Sequence, residues 1–304
     1  MSRNVIAHFF LFVVNFIYGA NYYIAKTVMP AYIGPSGFIL LRVISATLMF
    51  FLTALFFARE KIERSDRLRF MLCGLFGIAI NQLTFFMGLS LSSPINASII
   101  MTATPVLVLI TAAVLLREKV TARKVAGILA GASGALILLT FGKKISFSDD
   151  TFAGDLLVFA NAISYGVFLV LVKPLMLRYH FLTVMKWVFL CGMFFVFPFG
   201  FGELGDVSWK SIPEPGMWAI AYVVIATTFL AYMLNSIGLQ TLSPSVVSIY
   251  IYLPPLIATV FSLAAGKDQL TLIKIVSALL IFAGVYLVSF RRTTVAEKTK
   301  SHQE

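Results

Sequence analysis

Apolar stretches of about twenty residues follow one another along most of this chain, each closed by a short polar or basic turn. A helix that crosses lipid needs about 20 mostly apolar residues. Ten stretches meet or approach that length, near Val5–Thr27, Phe38–Ala58, Phe70–Leu89, Ile95–Leu116, Val125–Phe141, Gly154–Val172, Val184–Phe201, Met217–Leu239, Val246–Ala265 and Ile275–Phe290. An open strand edge in lipid would leave backbone polar groups unpaired, and no alternating stretch suggests a closed barrel. The pattern therefore predicts an all-α membrane protein of ten transmembrane helices. The first apolar run continues past Arg3 without a convincing small-residue cleavage site, so it is expected to stay as a span.

The order of residues within these stretches repeats. Much of Gly88–Leu139 is written again 150 residues later, from Gly238 to Ser289. Without a gap, Gly88, Leu89, Ser93, Pro94, Ser98, Ile99, Pro105, Thr121, Lys124, Leu129 and Gly134 meet identical residues. At a different offset, Tyr18-Gly19 and Lys26 match Tyr165-Gly166 and Lys173. Five spans per copy is an odd number, so the second copy must enter the membrane from the opposite face. Such inverted repeats are related by a pseudo-two-fold axis in the membrane plane, and a substrate site is expected where they meet, near the midplane. The expected partition is a first repeat over 1–141, a linker over 142–153, a second repeat over 154–292 and a cytoplasmic tail over 293–304.

Composition removes the soluble alternatives: the chain is 60% hydrophobic and 12% charged, where soluble domains carry about 25% charge. The net charge of +11 would suit nucleic acid, but the Lys and Arg residues lie in short clusters between apolar runs, with no basic stripe. The bilayer is the expected partner, and nucleic acid is not. With a cytoplasmic N-terminus, seventeen of the 24 Lys and Arg fall inside and six outside, while Arg42 lies within a span. That distribution places both termini in the cytoplasm. One link runs against it: the turn between spans eight and nine has no basic residue, and the next, outer one has Lys267 and Lys274.

Polar groups inside a span are costly, so each marks a cavity or a helix contact. On the fourth span Ser98, Thr102 and Pro105 share one face by helical spacing, and their mates Ser248, Tyr252 and Pro255 share the corresponding face of the ninth. Pro105 removes the partner of the Met101 carbonyl, and Pro254 and Pro255 remove those of Tyr250 and Ile251. Either these carbonyls and hydroxyls meet a substrate, with Pro105 and Pro255 facing each other across a cavity, or the prolines only kink two helices for packing. Gln82 and Phe85 on the third span pair with Tyr232 and Asn235 on the eighth, and Asn81 adjoins them. Asn15 and Tyr18 on the first pair with Asn161 and Tyr165 on the sixth. These amides and phenols either line a wet cavity or bond a neighbouring helix. Lys26 and Lys173 lie close to span ends, where a lysine snorkels to water or else gates. Arg42, five residues into the second span as drawn above, either bonds helix-end carbonyls or meets a substrate carboxylate.

No acidic residue is expected at mid-bilayer, so a carboxylate that alternates between proton and cationic drug lacks an obvious carrier. His8, His180 and His302 sit at span ends or in the tail, and Cys73 and Cys191 lie singly in apolar runs. No metal site, cofactor or catalytic constellation is expected, and no GxxxxGK[ST] loop offers a nucleotide site. Gly127 and Gly131 form a small-residue ridge on the fifth span that suits either a homodimer contact or packing in a monomer.

The stretch PVLVLITAAVLLREKVTARKVAGILAGASGALIL resembles the end of an EamA domain, and PLIATVFSLAAGKDQLTLIKIVSALLIFAGVYLV resembles the end of a second. With Asn15–Lys26 and Arg42, the resemblance covers Val5–Phe290 and points to the drug/metabolite transporter superfamily. It implies a ten-helix inner-membrane carrier working by alternating access, with a cavity lined chiefly by helices one, three, four, six, eight and nine. Members move varied small metabolites, often exporting amino acids. The second half departs from the pattern, with Gly266-Lys267-Asp268 where the first has Arg117-Glu118. The expected function is export of a small metabolite, an amino acid or relative, bound by hydroxyl, amide and aromatic groups. A broad exporter of apolar or cationic toxic compounds and a non-transporting membrane sensor or scaffold are the alternatives.

Overall fold

A computed structural model describes residues 3–29, 31–58, 60–141, 149–264 and 269–289, and all regular structure among them is helical. The helices are α1 (Arg3–Val28), α2 (Pro35–Phe57), α3 (Arg64–Leu91), α4 (Pro94–Met101 and Thr104–Leu115) and α5 (Ala122–Thr140) in the first half. The second half holds α6 (Asp149–Arg178), α7 (Phe181–Gly205), α8 (Glu214–Thr241), α9 (Pro244–Ile249 and Leu253–Ala264) and α10 (Leu272–Ser289). Nine of these are long and apolar enough to cross a membrane, and Pro244–Ile257 adds a shorter apolar segment. Several outrun the expected spans, α6 most clearly at 30 residues. Hydropathy marks only the lipid-facing part of a helix, and backbone bonding carries it further. The linker residues 142–148, the turn 265–268 with the departing Gly266-Lys267-Asp268, the tail 290–304 and the side chain of Lys26 lie outside what is described.

The duplication is visible in the packing. α2 packs along α7 and α5 along α10, so each of these pairs takes one helix from each half. α3 with α6 is matched by α8 with α1, and α4 with α6 by α9 with α1. Exchanging the halves leaves this scheme unchanged, as two inverted five-helix repeats require. Glycines set the close approaches. A Cβ on Gly284 would lie 2.6 Å from the Gly127 carbonyl oxygen and 2.7 Å from the Gly131 nitrogen. The ridge of Gly127 and Gly131 is therefore filled by the chain's own α10, with Tyr252 of α9 against Gly131. At the α3–α6 crossing, a Cβ on either Gly88 or Gly154 would lie 2.8 Å from the other's carbonyl oxygen.

Many of the repeated residues close helix ends. The Thr121 hydroxyl accepts from the Lys124 N–H at 3.3 Å, and Thr271 from Lys274 at 3.5 Å, as N-caps of α5 and α10. Ser93 does the same for α4, accepting from the Asn96 N–H at 3.0 Å. Glu118 pairs with Lys124 across the α4–α5 turn, where Arg117 takes a positive φ of 53°. Polar contacts also tie the halves together at both ends of the bundle. Asp66 accepts from Arg178 Nη1 at 2.7 Å and Tyr179 Oη at 2.8 Å, and Glu203 accepts from the Gly37 N–H at 2.9 Å. Asp155, which the sequence leaves near a span end, is buried and accepts from the Ser92 hydroxyl and from Asn96 Nδ2 at 3.2 Å.

Candidate functional site

Two helices are locally unwound at equivalent places, and their side of the bundle is where polar residues gather. α3 widens into a π-helical turn over Leu75–Ile80, and α8 over Val223–Leu230. Such a turn slips the backbone ladder and leaves carbonyls for other donors. Ser164 Oγ donates to the Phe76 carbonyl at 2.6 Å, and Asn161 Nδ2 to that of Asn81, just beyond the turn, at 2.7 Å. In α8 the hydroxyls of Thr227 and Thr228 both donate to the Val223 carbonyl, at 2.7 and 2.8 Å. Thr228 in turn accepts from Arg42 Nε at 2.9 Å.

These elements enclose a cavity of about 140 Å³ between the halves. On the same measure, an engineered cavity of about 150 Å³ admits benzene, so this space suits a small organic molecule. α1 lines it with Val14, Asn15, Tyr18 and Asn21, and α3 with Asn81, Gln82, Phe85 and Phe86. From the second half come Asn161 and Tyr165 of α6, Thr227, Tyr232 and Asn235 of α8, and Val247, Ser248, Ile251 and Pro254 of α9. Arg42 and Met101 complete it. Asn15, Tyr18, Arg42, Gln82, Phe85, Asn161, Tyr165, Tyr232, Asn235, Ser248 and Pro254 are thus brought together around one space.

Within it Tyr232 bonds the first repeat, and Asn235 bonds Tyr165 of its own repeat. Gln82 Nε2 donates to Tyr232 Oη at 3.5 Å, Tyr232 Oη to the Gly77 carbonyl at 3.4 Å, and Asn235 Nδ2 to Tyr165 Oη at 3.2 Å. The Asn15 amide bonds its own helix, at the Leu11 carbonyl, 2.7 Å away. Arg42 is 4% exposed, and its guanidinium lies 4.5 Å over the Phe86 ring. No carboxylate forms a salt bridge with it among the described residues, and its Nη1 has no hydrogen-bond partner there. No described residue lining the cavity is acidic.

Ser98, Thr102, Tyr252, Pro105 and Pro255 are not part of the lining. The expected stripe assumed helical spacing through the prolines, but α4 is interrupted between Met101 and Thr104, and α9 tightens to a 3-10 turn over Tyr250–Tyr252. The cavity stripe of α9 is accordingly Val247, Ser248, Ile251 and Pro254, rotated by one residue. Tyr252 is fully buried, packs where a Gly131 Cβ would stand, and donates to the Thr102 carbonyl at 3.1 Å. Thr102 bonds the Ile99 carbonyl at 2.6 Å, and Ser248 bonds that of Ser245 at 3.1 Å. The expected meeting of Pro105 and Pro255 across the cavity is replaced by this contact between Tyr252 and Thr102. Lys173 is half-buried and is not part of the cavity lining: its Nζ donates to the carbonyls of Leu239, Gln240 and Leu242 at 2.5, 3.3 and 2.9 Å, closing the end of α8.

Asn21, Phe86 and Thr227 were not singled out from sequence. Asn21 continues the α1 face three residues beyond Tyr18, a spacing that was available. The lining role of Thr227 depends on the π-helical turn, which apolar patterning does not register.

An apolar ten-helix bundle of two inverted repeats, with a cavity bearing polar side chains where they meet, is the architecture of a membrane transporter. The EamA-like transporter family matches this chain twice, over residues 5–140 and 152–290, and the chain belongs to that family, in the drug/metabolite transporter superfamily. It is 27% identical over 232 residues to the uncharacterized transporter YyaM of Bacillus subtilis, covering 74% of each chain. An uncharacterized transporter of Archaeoglobus fulgidus is 26% identical over 234 residues, 76% of this chain and 79% of that one. A crystal structure that is 18% identical shares the fold, with a TM-score of 0.75 over 97% of this chain and 98% of the other.

Proposed function

We propose that this protein exports a small carboxylate-bearing metabolite, an amino acid or a relative, across the inner membrane by alternating access, with both termini in the cytoplasm. The observation that carries the substrate reading is Arg42. A guanidinium taken out of water without a counterion is costly, and the cavity is the place where a substrate can supply one. Arg fits a carboxylate with two parallel hydrogen bonds. The same charge opposes a cationic drug in this cavity. The surplus of Lys and Arg in the turns on the side of the N-terminus supports the orientation. With no acid in the described lining, the cycle is facilitated diffusion or is only weakly coupled to protons.

An untargeted comparison of cells with and without the protein tests this. Cells lacking it are expected to retain one or a few carboxylate-bearing small molecules, and the native chain restores efflux while Arg42→Gln does not. Retention of an apolar cation, or full restoration by Arg42→Gln, rejects the reading. Flux in proteoliposomes that an imposed pH gradient drives strongly counts against the coupling.

A further inference from the structure

The offset that carries Tyr18 onto Tyr165 carries His8 onto Asp155, so a titratable side chain stands at equivalent places near the starts of α1 and α6. Each reaches across to the other repeat. Asp155 bonds α4 at Asn96, and His8 bonds α9 at its 3-10 turn, where Nδ1 lies 2.7 Å from Tyr250 Oη and the two rings stack at 5.9 Å. Tyr250 is buried and His8 is half-buried. His8 comes five residues after Arg3, about 7.5 Å along the axis, within reach of protons from the face that holds the N-terminus.

This pairing is complete only while the imidazole is neutral. A ring nitrogen without a proton accepts from the phenol, and both groups are then satisfied. Protonation puts hydrogens on both ring nitrogens, so Nδ1 can only donate. The Tyr250 hydroxyl then loses its acceptor, and it has no second partner among the described residues. The helices packed along α1 are α8 and α9, and neither compensates the new charge. The titratable groups of α9 are Tyr250 and Tyr252, and those of α8 are Glu214, Tyr222 and Tyr232. Glu214 begins α8, whereas the end of α8 is what lies beside this part of α1, with a Cβ on Gly238 falling 3.0 Å from Leu11. Arg3 of α1 and Lys173 of α6, which closes the end of α8, carry the same sign as an imidazolium.

We propose that His8 and Tyr250 form a proton-released latch: neutral His8 holds α1 against α9 and closes the cavity toward the face of the N-terminus, and acid on that face opens it. Histidine changes charge between about pH 5 and 8, so the latch is whole above that range and lost as pH falls through it. His8 is not part of the cavity lining, which begins on α1 at Val14. Its proton enters and leaves by one face, so the latch sets which way the carrier faces without coupling transport to protons. The inference rests on the proposed alternating access and not on the substrate.

The test places a single thiol at the cavity wall, Met101→Cys in a chain with Cys73→Ser and Cys191→Ser, in sealed vesicles of known orientation. A membrane-impermeant maleimide is added on the face of the N-terminus. Its rate is divided by that of the same chain carrying His8→Gln, which cancels the thiol's own pH dependence. Gln keeps an acceptor for the phenol and takes up no proton. As pH on that face falls from about 8 to about 5, the ratio is expected to rise roughly tenfold, the worth of one hydrogen bond. Changing pH on the opposite face is expected to leave it unchanged. Tyr250→Phe, which keeps the ring and loses the hydroxyl, is expected to give a high ratio at every pH. If His8→Gln does not assemble, Tyr250→Phe serves as the divisor and the ratio is expected to rise by the same factor. A flat ratio in the chain with His8 overturns the latch, as does a low ratio for Tyr250→Phe at high pH or a response to the opposite face. In those cases, labelling from one face at a time leaves alternating access standing. Equal labelling from both faces at every pH overturns alternating access and the latch together.

Discussion

Asp155 joins the two repeats at one end of the bundle, so weakening it should open that end. Its carboxylate takes two hydrogen bonds from the other half, from Ser92 and from Asn96 Nδ2 at 3.2 Å, and one from Thr151 of its own helix at 3.4 Å. The last survives any separation of the halves, and the first two do not. A hydrogen bond to a charged group is worth about 1.5–3 kcal/mol net. In Asp155→Asn the side chain keeps one acceptor oxygen, so the expected loss is about 2 kcal/mol from the state in which this end is closed. At 1.4 kcal/mol per tenfold, that shifts the ratio of open to closed by about thirtyfold. The assay places a single thiol in the cavity, Val247→Cys in a chain with Cys73→Ser and Cys191→Ser, and labels it with a membrane-impermeant maleimide from each side. Asp155→Asn is expected to speed labelling from the side where α3 ends and α6 begins, and to slow it from the other. Equal rates from both sides, or lowered stability without any change in labelling, would refute the idea that this junction governs access.

Two further predictions concern the scaffold. Gly284→Ala drives a methyl group to within 2.6 Å of backbone and is expected to cost about 2–3 kcal/mol. Gly202→Ala, with nothing within 4 Å, should be neutral or stabilise by up to about 1 kcal/mol. A thiol-reactive dye that reads exposure of buried Cys73 on heating reports both, with opposite signs. Lys173→Met leaves the α8 carbonyls without their ammonium and is expected to lower that melting midpoint by a few degrees, which Lys173→Arg largely recovers. Equal midpoints for all three Lys173 proteins would show that the contact carries no stability.

The fold was legible because lipid demands it: apolar length predicts each helix, and the repeated Thr121 and Ser93 turned out to be the caps that begin α5 and α4. The cavity was legible where a helix is regular, as for Asn15, Tyr18, Asn161 and Tyr165. It was misread at Thr102 and Tyr252, because spacing carried across a proline assumes a continuous helix, and the break turned the stripe by one residue. Arg42 was visible as a charge in a span, but its support by Thr228 was not. That contact spans 186 residues and depends on a π-helical turn, and neither leaves a periodic trace.

Tyr252 and Thr102 are repeat mates, and a residue that touches its own mate sits at the axis relating the halves. In the proposed cycle the halves exchange roles, so a carrier with identical halves would divide its time evenly between facing in and facing out. Here a phenol stands on one side of the axis and a short hydroxyl on the other, and the bond from Tyr252 to the Thr102 backbone has no mirror image. Symmetry therefore does not hold the two orientations at equal energy. The resting direction of the carrier is set by what the repeats do not share.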